Sequence, residues 1–395
     1  MDDESIDLIY LDPPFNKKKD FIAPIGSKAE GAEFKDWWTM DDVKDEEIGE
    51  IGEEYPPVSE LIKTAGDISG ESHRSYLIVM AIRLIEMKRL LKPAGSIYLH
   101  CDPTMSHWLK VLMDAIFGEK NFRNEIIWCY PPKGKGPKLA FHRKHDIIFY
   151  YGKSDSGTFN RTYTPLNDAQ IAKFSAVDEN GRRYKDFKGR RTYLDESLGR
   201  PVPSWWTDIA QTGQSRIEMV GYPTQKPLAL LQRVIKTSSN KGDIVLDPFC
   251  GCATTLVAAE SLERKWIGID QSPMAVKLVR ERMSQRDLFV SVIHWDTAEK
   301  GYPTRSDNVK RSPNIKQTLY GKQRGFCVIC GNHFRFQNFE VDHRNPKSKG
   351  GADADDNLQL LCGHCNRVKG GKRTNAETKA RLKEIESEYK SGARA

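Results

Sequence analysis

An open α/β sheet, mostly parallel and doubly wound, is the fold this sequence predicts, and three observations predict it. The apolar run at residues 8–11 stops at an acid, two prolines and an aromatic, as a buried strand does when it empties into a rigid turn at its carboxyl end. Strand-like and helix-like segments then alternate from residue 75 to residue 129, the rhythm of a parallel sheet whose crossovers are helices. Far downstream, a short apolar strand at 244–246 leads into a glycine-containing loop at 247–255, a helix, and a second strand that ends in Asp270.

The bulk numbers fit two domains, or three if one is small: 395 residues, 38% hydrophobic and 29% charged. No run approaches the roughly 20 apolar residues of a membrane span, and no basic-then-apolar leader precedes Leu8. A cytoplasmic chain with no membrane partner is the expectation. The net charge of +7 is unevenly spread. Residues 1–70 hold 7 Lys/Arg against 19 Asp/Glu, whereas residues 301–395 hold 19 against 10. A second basic segment, 129–226, holds 17 against 10. Two basic regions favour a polyanionic partner in two places, with a merely solvated surface as the alternative.

Taken in order, the first strand is followed by Asp12-Pro13-Pro14-Phe15. Two prolines fix φ and remove donors, so the turn offers carbonyl acceptors beside a carboxylate and an aromatic face. A planar exocyclic amine fits there, held by both hydrogens. Lysines 17–19 and the acidic, aromatic stretch through residue 54 read as a long loop or lid with little regular structure. Residues 75–92 have helical spacing and stop at Pro93 and Gly95. A strand at 96–100, a helix at 104–117 and strands at 124–129 and 145–151 follow.

Residues 153–221 lose this rhythm. Arg182, Arg183, Lys185, Lys188, Arg190 and Arg191 are interleaved with aromatics, a mixture suited to contacts with nucleic-acid phosphates and base edges. The alternative is an insert whose aromatics, Trp205 and Trp206 above all, form a small core. Regular structure resumes at residues 222–228, with Pro227 suited to the first turn of a helix reaching about residue 238. The loop at 247–255 lets backbone approach a ligand, and Asp270, about twenty residues on, can take ribose hydroxyls.

Asp12–Phe15, Tyr222–Pro227, Asp247–Thr255 and Gly268–Pro273 occur in the order that resembles a permuted, beta-class DNA amino-methyltransferase. The resemblance implies a Rossmann-like methyltransferase sheet with S-adenosylmethionine as methyl donor, double-stranded DNA as partner and 153–221 as target-recognition insert. It places Asp247, Phe249 and Gly251 along the methionine side, Asp270 on the ribose, and Thr224 and Lys226 near the carboxylate end. Asp12 and the Pro13 carbonyl would hold the target amine, with Pro14 shaping the turn and Phe15 stacking on a flipped base. Asp at position 12 favours N6 of adenine over N4 of cytosine. Ala253 stands where the family usually has Gly, a small change if φ stays negative. The family's Gly-Asp strand ahead of the catalytic strand is expected upstream of residue 1.

Residues 301–316 read as a linker, 317–375 as a small module and 376–395 as a basic terminal helix and tail. Cys327, Cys330, Cys362 and Cys365 form two Cys-x-x-Cys pairs, the spacing of a structural Zn²⁺ site. Asp342-His343, Asn357 and Asn366 resemble an HNH (ββα-metal) nuclease on a cysteine frame. By that likeness Asp342 and Asn366 hold a catalytic divalent ion, Mg²⁺ or Mn²⁺, His343 deprotonates water, and Asn357 braces the loop presenting His343. The whole then reads as an adenine-N6 DNA methyltransferase fused to a nuclease, of restriction–modification or phage type, with a homodimer compatible. Two alternatives stay open: a nuclease that uses a weak methyltransferase half to bind DNA, and an N4-cytosine methyltransferase with a zinc-stabilised DNA clamp.

Overall fold

Hydrophobic alternation on the first strand explains the layering of the molecule. In the computed structural model, which describes residues 1–131, 136–211, 219–284 and 314–390, β1 (Ile6–Leu11) is buried on both faces. Ile9 and Leu11 join the cluster containing Tyr76, Leu77 and Leu84, while Leu8 and Tyr10 join the opposite one with Leu230, Leu231 and Val234. A strand covered by helices on both sides reads as a continuous apolar run, as this one does.

The remaining strands of the main sheet are β2 (Leu91–Cys101), β3 (Phe122–Cys129), β4 (His145–Gly152), β5 (Trp205–Trp206), β6 (Ile244–Asp247) and β7 (Lys265–Gly268). They lie in the order β5-β3-β4-β2-β1-β6-β7, seven strands of which only β4 runs antiparallel to its neighbours. The chain leaves β1 toward β2 on one side and returns to β6 on the other. The switch point therefore falls between β1 and β6, and their carboxyl ends open a crevice there.

The helices are α1 (Asp45–Glu54), α2 (Pro56–Ser69), α3 (Glu71–Leu90), α4 (Ser106–Phe117), α5 (Leu228–Ser238), α6 (Thr254–Ser261) and α7 (Pro273–Ser284). α1 corrects the expectation that the stretch through residue 54 has little regular structure. Asp45, Glu46 and Glu47 sit in the first turn of α1, where the helix dipole favours acids. Gly49 and Gly52, which look like loop residues in sequence, face another helix closely.

That helix is α8 (Ile315–Gln323), which opens the carboxyl module. A β-carbon at Gly49 would run into the Gln317 backbone, at Gly52 into the Tyr320 ring, and at Gly321 into the Asp45 backbone. Tyr320 is fully buried, and its hydroxyl lies 3.3 Å from Ser59 Oγ. Behind α8, β8 (Phe339–His343) and β9 (Leu358–Cys362) pair antiparallel and lead into α9 (Gly363–Lys369), a ββα unit closed by α10 (Asn375–Lys390).

The insert is built of short pieces. Residues Arg183–Phe187 and Arg190–Tyr193 form an exposed hairpin. Trp206 is buried in the main core and pairs with β3, whereas Trp205 is 55% exposed. The tryptophans thus extend the main sheet instead of forming a separate core. Most of the expected linker and the last five residues of the tail lie outside the described residues. No helix among the described residues is long and apolar enough to cross a membrane.

Candidate active sites

The turn after β1 is held by its neighbours before any ligand enters. Asn16 adopts a left-handed conformation, φ 61°, and donates its backbone N–H to Asp36 Oδ1 at 2.5 Å. Its amide exchanges bonds with Ser72, whose hydroxyl donates to Asn16 Oδ1 at 2.9 Å. Phe15 is buried and stacks on His100, with ring centroids 5.9 Å apart and 22° between planes. His100 is in turn fixed from both nitrogens, with Tyr10 Oη 2.7 Å from Nδ1 and Asp146 Oδ2 3.1 Å from Nε2. Burial pushes the Asp146 carboxyl up, but bonds from His100 and Tyr130 and the charges of His100 and Lys226 hold it at about 2. Asn16, Tyr10, His100 and Asp146 were missed in sequence. The first two flank the turn motif, while His100 and Asp146 lie on other strands and gave no local signal.

Asp12 lies at the mouth of the switch-point crevice. Its Oδ2 accepts from Lys226 Nζ at 2.5 Å, and its Oδ1 is buried without a hydrogen-bond partner among the described residues. Lys226 also stands over the Phe15 ring, 5.1 Å from its centroid. The structure thus brings Lys226 to the Asp12–Phe15 turn. Thr224 is exposed with φ 62°, an uncommon conformation for a β-branched residue.

Across the crevice, Asp247 at the end of β6 is buried and accepts from the Phe249 N–H at 3.0 Å. Burial raises its carboxyl to about 7, against the bonds from Thr255 and Phe249 and with the charges of Asp12 and Asp270 adding to the rise. Gly251, φ 46°, donates its N–H to Asp270 Oδ2 at 2.9 Å, and Ser272 donates to Oδ1 at 2.8 Å. A β-carbon at Gly251 would meet the Tyr222 ring at 3.0 Å. The glycine therefore leaves a cradle walled by Tyr222 and Asp270, and the acceptors of Asp270 and of nearby Asp247 suit the ammonium and hydroxyl groups of S-adenosylmethionine. Ala253 has φ 68°. The condition under which alanine replaces glycine without cost is not met, because the tight entry into α6 needs a left-handed residue there. Arg282 of α7 steadies this loop by donating to the Cys252 carbonyl.

In the carboxyl module the four cysteine sulfurs lie within 4.8 Å of one another, with Cys330 and Cys362 4.0 Å apart. Zn–S bonds of about 2.3 Å in a tetrahedron separate sulfurs by about 3.8 Å, so the donor set fits a structural zinc ion. His333 and His364 are not in the cluster.

Asp342 Oδ2 accepts from the fully buried Lys369 Nζ at 2.7 Å and from Gln359 Nε2 at 3.0 Å. His343 Nε2 lies 2.8 Å from Asp353 Oδ1. Asn357 bonds the Asn345 N–H at 2.9 Å, the Asn345 carbonyl at 3.1 Å and the Ala352 carbonyl at 2.7 Å, bracing the loop that follows His343. Asn366 donates to Glu340, a carboxylate that sequence reasoning missed.

The model of the DNA methylase family matches residues 6–281, and that of the HNH endonucleases matches residues 327–372. Among curated relatives, the type II methyltransferase M.EcaI of Enterobacter cloacae is 28% identical over 260 residues, 53% of this chain. The chain spans only 58% of that relative's length. M.HpaI of Haemophilus parainfluenzae is 25% identical over 351 residues, 88% of this chain and 85% of its own. The DNA adenine methyltransferase YhdJ of Escherichia coli K12 is 27% identical over 280 residues, 71% of this chain and 76% of its own. A turn and a glycine loop facing each other across the switch point, within a family match that covers most of the described sheet, lead to one conclusion: the chain belongs to the DNA methylases and carries an HNH endonuclease domain behind them.

Proposed function

We propose that the chain methylates the N6 amino group of adenine in double-stranded DNA and that its carboxyl module cuts or nicks DNA. The observation that carries the first half is the buried Oδ1 of Asp12 at the switch point, which has no hydrogen-bond partner among the described residues. An acceptor kept dry costs free energy unless a donor arrives. S-adenosylmethionine, when bound, supplies the electrophilic methyl group.

The chain's own residues do the rest. Asp12 and the Pro13 carbonyl accept the two amine hydrogens, which turns the nitrogen lone pair toward the methyl, and Phe15 holds the flipped base flat. Pro14 keeps the turn from donating to water. Asp270 and Asp247 bind and orient the cofactor, with Gly251 allowing close approach and Phe249 and Thr224 bordering the site. Adenine is favoured because a carboxylate at position 12 suits its amine, and because a named adenine methyltransferase is among the relatives.

For the second half, His343 takes the proton of the attacking water, and Asp342 with Asn366 would hold Mg²⁺ or Mn²⁺, an ion that stabilises charge on the scissile phosphate. Incubation with labelled S-adenosylmethionine and unmethylated DNA tests the first reading. Label on adenine N6 that vanishes in Asp12→Ala supports it; no label at all, or label unaffected by Asp12→Ala, contradicts it. Nicking in Mg²⁺ that disappears in His343→Ala supports the second, and nicking unchanged by that substitution rejects the assigned base.

A further inference from the structure

Lys226 is not where a residue serving only the cofactor would be. Its ammonium touches Asp12 Oδ2 at 2.5 Å and lies 5.1 Å from the Phe15 centroid, so a cation sits on one oxygen of Asp12 and over the ring on which a flipped base would stack. Both side chains are largely buried, 10% and 15% exposed. A neutral amine cannot displace an ammonium from a carboxylate in such a setting unless the ammonium finds another anion, because a lone buried charge is costly. Asp146 already feels the Lys226 charge, and its two oxygens are engaged by His100 and Tyr130. Asp247 and Asp270 are tied to backbone N–H groups of the glycine loop and the turn after it. The further anion that can draw the ammonium off Asp12 comes with a ligand.

We propose that Lys226 is a movable counter-ion: it neutralises Asp12 and covers the Phe15 ring until the carboxylate of a bound S-adenosylmethionine draws it away, so that the target base is accepted only by the cofactor-loaded enzyme. This rests on the methyltransferase reading. Four methylenes let the ammonium travel without backbone movement, and Pro227 pins the backbone at the start of α5. The exchange conserves charge: one ammonium leaves one carboxylate for another, and Asp12 is released for the amine. An empty enzyme keeps its carboxylate neutralised, and ordered binding follows with the cofactor first.

Asp12 and the cofactor carboxylate then compete for one lysine, and the competition can be measured without knowing the DNA site. Calorimetry on the full chain would compare S-adenosylhomocysteine, which has the carboxylate, with 5′-methylthioadenosine, which lacks it. Asp12→Asn is expected to tighten S-adenosylhomocysteine by about tenfold, an interaction of roughly 1.4 kcal/mol, and Lys226→Met to weaken it by a similar factor. In the double variant the Asp12→Asn gain should vanish, and 5′-methylthioadenosine should be insensitive throughout. Unchanged or weaker S-adenosylhomocysteine binding in Asp12→Asn, or an equal gain for 5′-methylthioadenosine, would overturn the proposal while leaving the methyltransferase reading intact. Failure of the parent to bind either nucleoside would overturn both.

Discussion

At the scale of single residues, the loop after β6 carries a local cost that can be relieved. Ala253 sits at φ 68°, where a β-carbon costs about 1 kcal/mol relative to glycine. Ala253→Gly should therefore raise stability by about 1 kcal/mol in urea unfolding at constant m-value, and a loss of stability would contradict the strain. Asp247 gives a pH dependence of definite sign. Its folded value of about 7 lies above the ordinary 3.8, so the unfolded chain ionises first as pH rises. The folded state then loses stability, on the order of a few kcal/mol, across that window and levels off above it. Asp247→Asn should be more stable than its parent by a margin that grows from pH 4 to pH 7. A margin independent of pH would mean that the carboxyl is already ionised in the fold.

At the scale of elements, legibility depended on how local the signal was. The turn after β1 and the loop after β6 were readable because each is a strand end followed by residues whose backbone chemistry is unusual: prolines in one, a left-handed glycine in the other. The His100–Asp146 support beneath Phe15 was not readable, since β2 and β4 meet only in the folded sheet. α1 was hidden for a different reason: its glycines serve a close crossing with α8, more than 260 residues later in the chain, as the Gln317–Glu53 bond shows. The hairpin Arg183–Tyr193 matches the basic, aromatic reading of the insert. Its tip exposes Lys188, Arg190 and the ring of Phe187, which is 73% exposed. If the tip meets phosphate, Lys188→Ala with Arg190→Ala should weaken DNA binding and reduce the slope of log K against log salt by about 2. An unchanged slope would place the DNA elsewhere.

At the scale of the whole molecule, the two chemistries share one framework. The nuclease module rests on α1 and α2 through Tyr320, the Gln317–Glu53 bond and the Arg335–Glu60 pair. Exposed ion pairs of this kind add little; the buried tyrosine and the glycine-lined helix crossing carry the contact. A module this small has a modest core of its own, so a zinc ion held by the four cysteines would supply much of its folding free energy. The candidate site of the methyltransferase half lies at the ends of β1, β6 and β7, completed by Tyr222 and Lys226 ahead of α5 and braced by His100 of β2 and Asp146 of β4. The most direct measurement of the account is transfer of labelled methyl from S-adenosylmethionine to unmethylated duplex DNA, followed by nucleoside analysis. The account predicts label on N6 of adenine from the parent chain and a loss of at least about a hundredfold in Asp12→Ala; label on cytosine, or equal labelling by the two proteins, would contradict it.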